Sequence, residues 1–391
     1  MDPKELASLD RKWSMHTYER YGVEFVEGSG ARLVDSQGRE YLDFLTGISV
    51  CSLGHCHPAV VEAITSQVDT LMHTSNLFLN RWTVELARTL SESSLGGPVF
   101  FCNSGAEANE AAIKIARKAA HDRGVEAPRI VVLEGGFHGR TMGAVSASPK
   151  LAADPSFAPY LEGFDVVGRD DPVGLAEAVG SETAAILIEP VQGEAGVYPI
   201  SDEMLTAARA QADRVGACLI FDEVQCGMGR TGSIWAWQEV GVTPDLMTTA
   251  KALGGGYPVG ACIAGDHWGK VLSPGDHGST FAGGPVAARA ALAAFRVTSE
   301  AELLASVDQA GKRLRNGLGE IDSIREVRGR GLMVAADLDG DNEAPEVVRR
   351  ALDLGLVINA TGPMTLRMLP PLIVSDEQVD QGLELISKAL V

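Results

Sequence analysis

Short apolar runs of strand length recur through the middle of this chain, and stretches of helical period lie between several of them. The runs are Val99–Cys102, Arg129–Leu133, Ala185–Glu189, Ala217–Asp222, Leu246–Thr249 and Ala261–Ala264, with Ala106–Ala120 and Leu205–Val215 among the helical stretches. Alternation of this kind predicts an α/β fold on a mostly parallel sheet. In such sheets ligands sit beyond the carboxyl ends of the strands. Polar and small residues fall at those ends: Asn103 to Ala106, Glu134 to Arg140, Glu189 to Glu194, Asp222 to Gln225, and Lys251.

The two ends of the chain read differently. Residues 23–44 have the pattern of a meander, with turns at Gly28–Gly30 and Gln37–Gly38. The last hundred residues begin with Ala-rich helical stretches, Val286–Val297 and Ala301–Leu318, and continue into short strands around Glu326–Val334 and Leu366–Met368. The expected organisation is a large domain over 51–285 and a smaller α+β domain over 286–391, joined by the N-terminal segment 1–50.

With 391 residues, 45% of them hydrophobic, the chain can bury a sizeable core. Its net charge of −19 makes it a poor partner for nucleic acid or anionic membranes. Six cysteines stand at 51, 56, 102, 218, 226 and 262, several inside apolar runs and none in a CxxC pair. Reduced thiols in a cytoplasmic protein are expected. The opening MDPKELASLDRKW lacks an apolar signal stretch, and no window approaches the run of about 18 apolar residues of a membrane span.

Seven elements carry candidate chemistry. In Thr248-Thr249-Ala250-Lys251-Ala252-Leu253-Gly254-Gly255-Gly256, a lysine at a strand end precedes three glycines that allow close backbone approach. Such an amine can trap an aldehyde cofactor as a Schiff base; a surface lysine beside a flexible loop has the same pattern. Asp222, emerging from Leu219-Ile220-Phe221, needs a cation. A protonated pyridine nitrogen is one, and the pairing makes the ring an electron sink, with Gln225 on the ring's phenolic oxygen. A capped turn, or a metal ligand shared with Glu223, is the other reading. Ser104 caps a helix with Glu107 placed for a capping box, and the amides of Gly105 and Ala106 suit a phosphate; an ordinary capped helix fits too.

Phe137 can stack on a flat ring, and Arg140 can grip a carboxylate or remain a solvated surface residue. Glu189 and Glu194 flank a turn, and His277-Gly278-Ser279-Thr280 offers hydroxyl donors. Arg367, among apolar neighbours, needs an anion. Gly227-Met228-Gly229-Arg230-Thr231-Gly232 matches a dinucleotide fingerprint but lacks its strand–turn–helix context. Cys51, His55, Cys56 and His57 lack a second ligand pair at zinc spacing, so a turn at Gly54–Pro58 is preferred and no metal is expected.

Taken together, LGHCHP, FFCNSGAEANEAAIKIARK, FHGRT, EPVQGEAGV, DEVQCGMGRTG and HGSTF resemble the class III (ornithine-type) aminotransferases, nearest to their acetylornithine branch. The likeness runs in chain order from Gly28 to Pro371, with Asp222 and Lys251 29 residues apart. It implies the pyridoxal-phosphate fold type I and a homodimer with active sites at its interface. It also implies transfer of the δ-amino group of N-acetylornithine to 2-oxoglutarate, which yields glutamate. By resemblance, Lys251 carries the cofactor, Asp222 pairs its ring nitrogen, and Gln225 contacts its phenolic oxygen within the segment Glu223-Val224-Gln225. Phe137 covers the ring, Gly105 and Ala106 hold the phosphate, and Thr280 reaches the neighbouring subunit's phosphate. Arg140 and Ser279 contact substrate, and Arg367 takes the α-carboxylate of glutamate with Glu194 as its removable partner. Tyr18 stands near where ornithine enzymes bind free ornithine. The chain departs from the family at Gly284 and Cys51, where Asn is usual, and at Cys226, where Thr is common. Donors of the ornithine, succinyl-diaminopimelate and 4-aminobutyrate enzymes stay open, as does an aminomutase.

Overall fold

Two strands in the middle of the chain, Thr183–Ile188 and Cys218–Asp222, are buried at every position. Strands covered on both faces read as continuous apolar runs, and these lie at the heart of a parallel sheet. The computed structural model describes residues 2–340 and 342–391. Its first strands are β1 (Phe25–Ser29), β2 (Arg32–Asp35) and β3 (Glu40–Asp43). There follow β4 (Gly96–Cys102), β5 (Arg129–Leu133), β6 (Phe164–Val167), β7 (Thr183–Ile188), the hairpin β8 (Val191–Gln192) and β9 (Tyr198–Pro199), β10 (Cys218–Asp222), β11 (Leu246–Thr249) and β12 (Gly260–Gly265). The last are β13 (Ile324–Arg330), β14 (Met333–Leu338), β15 (Leu356–Val357), β16 (Asn359–Ala360) and β17 (Thr365–Met368).

The central sheet has the order β4-β12-β11-β10-β7-β5-β6. Only β12 runs against its neighbours. All six runs picked out in the sequence are strands of this sheet. The sequence reading passed over β6, an edge strand of four residues with an exposed Val166 and no clear alternation. Apolar clusters cover both faces of the sheet, one around the helix Gly105–Asp122 and one around the helix Asp202–Val215. The carboxyl ends of β5, β7, β10 and β11 consequently open on the same side, where Phe137, Glu189, Asp222 and Lys251 follow them.

The chain ends share a second body of structure. β1, β2 and β3 form the expected meander, and β15 adds to it in parallel, pairing Leu356 with Leu42. β13, β14, β17 and β16 form a further four-stranded sheet. One apolar cluster unites Ala31, Leu42 and Phe44 with Leu314, Val334, Leu366 and Ile386.

The dinucleotide-like glycines serve packing. Arg230, fully buried, donates to Ser49 Oγ (3.0 Å), Ser52 Oγ (2.8 Å), the Leu332 carbonyl (3.1 Å) and the Pro370 carbonyl. Burial without a contacting carboxylate pulls its pKa down to about 9. The loop thus pins three segments together. Nor do the Cys51–His57 residues read as a metal site: His55 meets Asp43 at 2.6 Å, and that bond raises the His55 pKa to about 10.

The helix Asp376–Ala389 lies on Phe44 through Gly382, where a Cβ would come within 2.3 Å of the ring. Gly382→Ala is therefore expected to destabilise the protein by about 1–3 kcal/mol, the usual cost of overpacking. A thermal unfolding midpoint equal to wild type would contradict this packing.

Candidate active site

A cavity of about 550 Å³ opens at the carboxyl ends of the central strands. Asn103 to Ala106, Phe137, Asp222, Val224, Gln225 and Lys251 line it, together with Asn109, His138 and Glu189. Seven of the residues singled out in the sequence as cofactor contacts therefore share one space: Gly105, Ala106, Phe137, Asp222, Val224, Gln225 and Lys251. The volume is that of a small-ligand pocket.

At its floor lies Asp222, buried. Its Oδ2 accepts from Asn109 Nδ2 at 2.7 Å and from His138 Nδ1 at 2.8 Å, and its Oδ1 accepts from the Val224 amide at 3.0 Å. Asn109 is fixed in turn, donating to the His138 carbonyl (2.8 Å) and accepting from Thr248 Oγ1 (2.8 Å). Burial disfavours the His138 imidazolium, but the bond to Asp222 outweighs it and the pKa lies above its ordinary value. The sequence reading missed the roles of Asn109 and His138. A signal existed for Asn109, a polar residue on the otherwise apolar buried face of its helix.

The metal reading of Asp222 with Glu223 fails on direction. Both Glu223 carboxylate oxygens accept backbone amides, Ala236 N at 2.7 Å and Trp237 N at 2.9 Å, and Glu223 does not line the cavity. Burial raises its pKa to about 8.

At the other end, Ser104 caps the helix Gly105–Asp122. The expected capping box is altered: the Glu107 carboxylate accepts from the Asn103 amide at 2.9 Å and from Ser104 Oγ at 3.0 Å. The amides of the first turn have no acceptor within the helix and point a partial positive charge into the cavity. Gly105 is required here because a Cβ would come within 2.6 Å of Val224.

Lys251 follows β11 with φ of +38°, a left-handed conformation unusual for a non-glycine residue. Burial lowers the pKa of its ammonium below the ordinary value, with Glu194 opposing and Arg367 adding to the effect. Phe137 is held by its amide, which donates to Glu189 Oε1 at 2.8 Å.

Arg367 is fully buried on β17. Its Nη1 donates to Glu194 Oε1 at 2.7 Å, to the Gly193 carbonyl at 3.1 Å and to Gln225 Oε1 at 3.2 Å; its Nε donates to Asn359 Oδ1 at 3.1 Å. Its Nη2 is buried and has no partner among the described residues. Gln225 also donates to Glu194 at 3.0 Å. The Glu194 side chain keeps 33% exposure, so the pair joins a fixed cation to an anion that can reach solvent.

Four expected contacts stand farther out. Arg140 is exposed, its guanidinium 5.9 Å from the Phe137 ring centroid. Ser279 Oγ accepts from Asn103 Nδ2 at 2.9 Å. Thr280 is exposed and does not line this cavity. Tyr18 lines the cavity mouth while largely exposed.

An amine of lowered pKa, a buried carboxylate, an anion-accepting helix start and a flanking aromatic ring converge here as a flat, phosphorylated aldehyde cofactor requires. The family model for class III aminotransferases matches residues 14–390. The chain belongs to that family. It is 45% identical to an acetylornithine aminotransferase of Caldanaerobacter subterraneus, over 98% of this chain and 99% of that one. An ornithine aminotransferase structure from Toxoplasma gondii superimposes with a TM-score of 0.94 at 33% identity, covering 100% of this chain and 95% of that one. An N-acetylornithine aminotransferase structure from Stenotrophomonas maltophilia gives 0.84 at 37%, covering 98% and 97%.

The aminotransferase is thus a pyridoxal-phosphate enzyme of fold type I. Its cavity fits that group on three observations. A carboxylate lies at the floor, the amides of Gly105 and Ala106 at the helix start lie at the far end, and a phenyl ring and Val224 line the walls.

Lys251→Ala should leave a folded protein without turnover. In the wild type, borohydride should fix the cofactor to the peptide containing Lys251; label on another lysine would refute the assignment. A pH effect is also expected. Burial pushes the Glu189 carboxyl up to about 8. The folded state therefore keeps a proton that the unfolded chain releases, and stability falls as pH rises from the ordinary carboxylate range towards that value. Glu189→Gln keeps an oxygen for the Phe137 amide and removes the fall. Its melting-temperature advantage should grow by a few degrees between about pH 5 and about pH 8. A pH-independent difference would count against a protonated Glu189.

Proposed function

We propose that this aminotransferase moves the δ-amino group of N2-acetyl-L-ornithine to 2-oxoglutarate, giving N-acetyl-L-glutamate 5-semialdehyde and L-glutamate, a step of arginine biosynthesis. The observation that carries the reading is the Arg367–Glu194 pair, with one guanidinium nitrogen buried and free. An enzyme that alternates between an ω-amine and an α-amino acid meets a carboxylate near the reacting carbon in only one half-reaction. A buried cation left unpaired in the other half costs several kcal/mol. Glu194 supplies the missing charge and can withdraw to solvent. The names borne by the relatives supply the donor.

Pyridoxal phosphate, when bound, supplies an aldehyde that takes up the amino group and a ring that stabilises negative charge at the adjacent carbon. Asp222, held by the Asn109 and His138 bonds, would pair with the ring nitrogen and keep it protonated. Gly105 and Ala106 would hold the phosphate, Phe137 would cover the ring, and Val224 and Gln225 would border it. Lys251, its ammonium destabilised by burial, takes the proton from the amine-bearing carbon and returns it one position along. Arg140 and Ser279 receive the distal carboxylate.

Thr280 reaches the phosphate of a second copy in a homodimer. An exposed apolar strip, Leu77, Phe78, Leu79 and Phe281, with Leu79 98% exposed, supports that surface. The separate apolar cores support a large domain over 51–285 and a small one built from both chain ends. Six free cysteines suit a cytoplasmic location.

Ornithine is the second reading, because Tyr18 lines the cavity mouth. A panel of acetylornithine, ornithine, succinyl-diaminopimelate and 4-aminobutyrate with 2-oxoglutarate, scored for glutamate, separates them. Acetylornithine should exceed ornithine in kcat/KM by about tenfold or more. A preference for ornithine would overturn the donor assignment and leave the transaminase chemistry standing.

A further inference from the structure

The Glu194 turn is held by residues outside the cavity. Glu194 lies in the turn between β8 and β9, and Tyr198 of β9 pairs with Gln192 of β8. Two guanidinium carbons lie over the Tyr198 ring, that of Arg169 at 3.9 Å from the centroid and that of Arg328 at 4.0 Å. Two cations that close to one centroid cannot share a face, so the ring is sandwiched between them.

Each arginine is anchored elsewhere. Arg169 Nε donates to Gln192 Oε1 at 2.7 Å, and Gln192 Nε2 donates to the Glu134 carbonyl at 2.9 Å, at the root of the Phe137 loop. Arg328 comes from β13. Its Nε donates to the Gly196 carbonyl at 2.8 Å, and its Nη2 to Asp337 Oδ1 at 2.9 Å. That same oxygen accepts from Thr365 Oγ1 at 2.7 Å, on the strand that carries Arg367. Gly196 has φ of +120°, and a Cβ on it would lie 3.0 Å from Arg328 Nη2 and 3.1 Å from the Tyr198 ring. The turn is therefore closely packed at its base, while the Glu194 side chain at its tip keeps 33% exposure.

We infer that Arg169 and Arg328, closing on both faces of Tyr198, clamp the base of the Gly193–Gly196 turn so that Glu194 occupies Arg367 whenever no substrate carboxylate does, which makes Tyr198 a positioning residue of the reaction. The inference rests on the reading of Glu194 as a displaceable partner. With the base fixed, exchange between Glu194 and a carboxylate is a side-chain movement and needs no reordering of the turn. Cation–π contacts suit this task because they grip a planar ring from both sides.

The test uses the cofactor-loaded enzyme and glutarate, a dicarboxylate that cannot react. Glutarate must displace Glu194 from Arg367, so a loosened turn should make it bind more tightly. Tyr198→Leu should tighten glutarate by about three- to tenfold in calorimetry, and slow the acetylornithine half-reaction by about tenfold, the scale of two lost cation–π contacts. The glutamate half-reaction should stay within about twofold, since it gains carboxylate binding. Tyr198→Phe, which keeps both ring faces, should restore wild-type behaviour. Weaker glutarate binding, or equal slowing of both halves, overturns the clamp; a purely structural role predicts that result. If Tyr198→Leu does not fold, Arg169→Met is decisive in the same way, because it removes one face and leaves the Arg328 anchors. Glu194→Ala tests the underlying reading separately. If it fails to tighten glutarate, Glu194 is no competitor at Arg367. If it tightens glutarate while Tyr198→Leu does not, only the clamp falls.

Discussion

A negative charge buried at the end of β10 is the constraint around which this site is arranged. Asp222 is removed from water, and burying a carboxylate is affordable only when its oxygens are bonded. Asn109, His138 and the Val224 amide meet that need from three elements: the helix Gly105–Asp122, the Phe137 loop and the turn after β10. The same three elements bring Gly105, Phe137 and Gln225 to the cavity. The bonds that make the carboxylate tolerable thus also set the distances between the helix start at Gly105, the Phe137 ring and the carboxylate. His138 carries a second consequence. Burial disfavours its imidazolium, yet the bond to Asp222 outweighs burial and raises its pKa, so the ring is held as a donor to that acid.

The acids around Asp222 are handled differently, and the differences sort their tasks. Glu223 spends both oxygens on amides of Ala236 and Trp237, turned away from the cavity. Glu189 lines the cavity but holds the Phe137 amide, and burial raises its pKa to about 8. Glu194 sits beside a guanidinium, and although burial raises its pKa, the charges of Arg367 and Lys251 bring it below the ordinary value. Of the four acids near the cavity, it alone combines a guanidinium partner with a path to solvent.

Much of this arrangement was legible because strand burial and ligand position are coupled in parallel sheets. Ala217–Asp222 reads as a buried strand from its unbroken apolar run, and a carboxylate at its end can only be costly or functional. Lys251 was legible for the same reason, with three glycines marking a close backbone approach. What stayed hidden depends on tertiary neighbours. Asn109 looks like any polar helix residue until the sheet is assembled beneath it. β6 lies at the sheet edge, where a half-exposed strand of four residues carries little pattern. The box expected between Ser104 and Glu107 ignored Asn103, whose amide and side chain both compete for Glu107. Arg140 illustrates the converse: FHGRT marks it clearly, yet its side chain is exposed.

The two bodies of structure contribute unequal kinds of charge to the cavity. The central sheet supplies Asp222, Glu189 and Lys251 from strand ends, where the backbone is held on both sides. Arg367 comes from β17, in the sheet built from the C-terminal residues, and reaches across to Gly193, Glu194 and Gln225. Two further arginines cross the same boundary: Arg230 outward from the central body to Leu332 and Pro370, and Arg328 inward to Gly196. Across the boundary both meet backbone carbonyls, which cannot titrate or leave, whereas Arg367 meets a carboxylate that can. Fixed carbonyl acceptors let this boundary keep its geometry while the charge beside Arg367 changes. That condition is what a single pocket needs if it is to serve, in alternation, a substrate with a carboxylate beside the reacting carbon and one without.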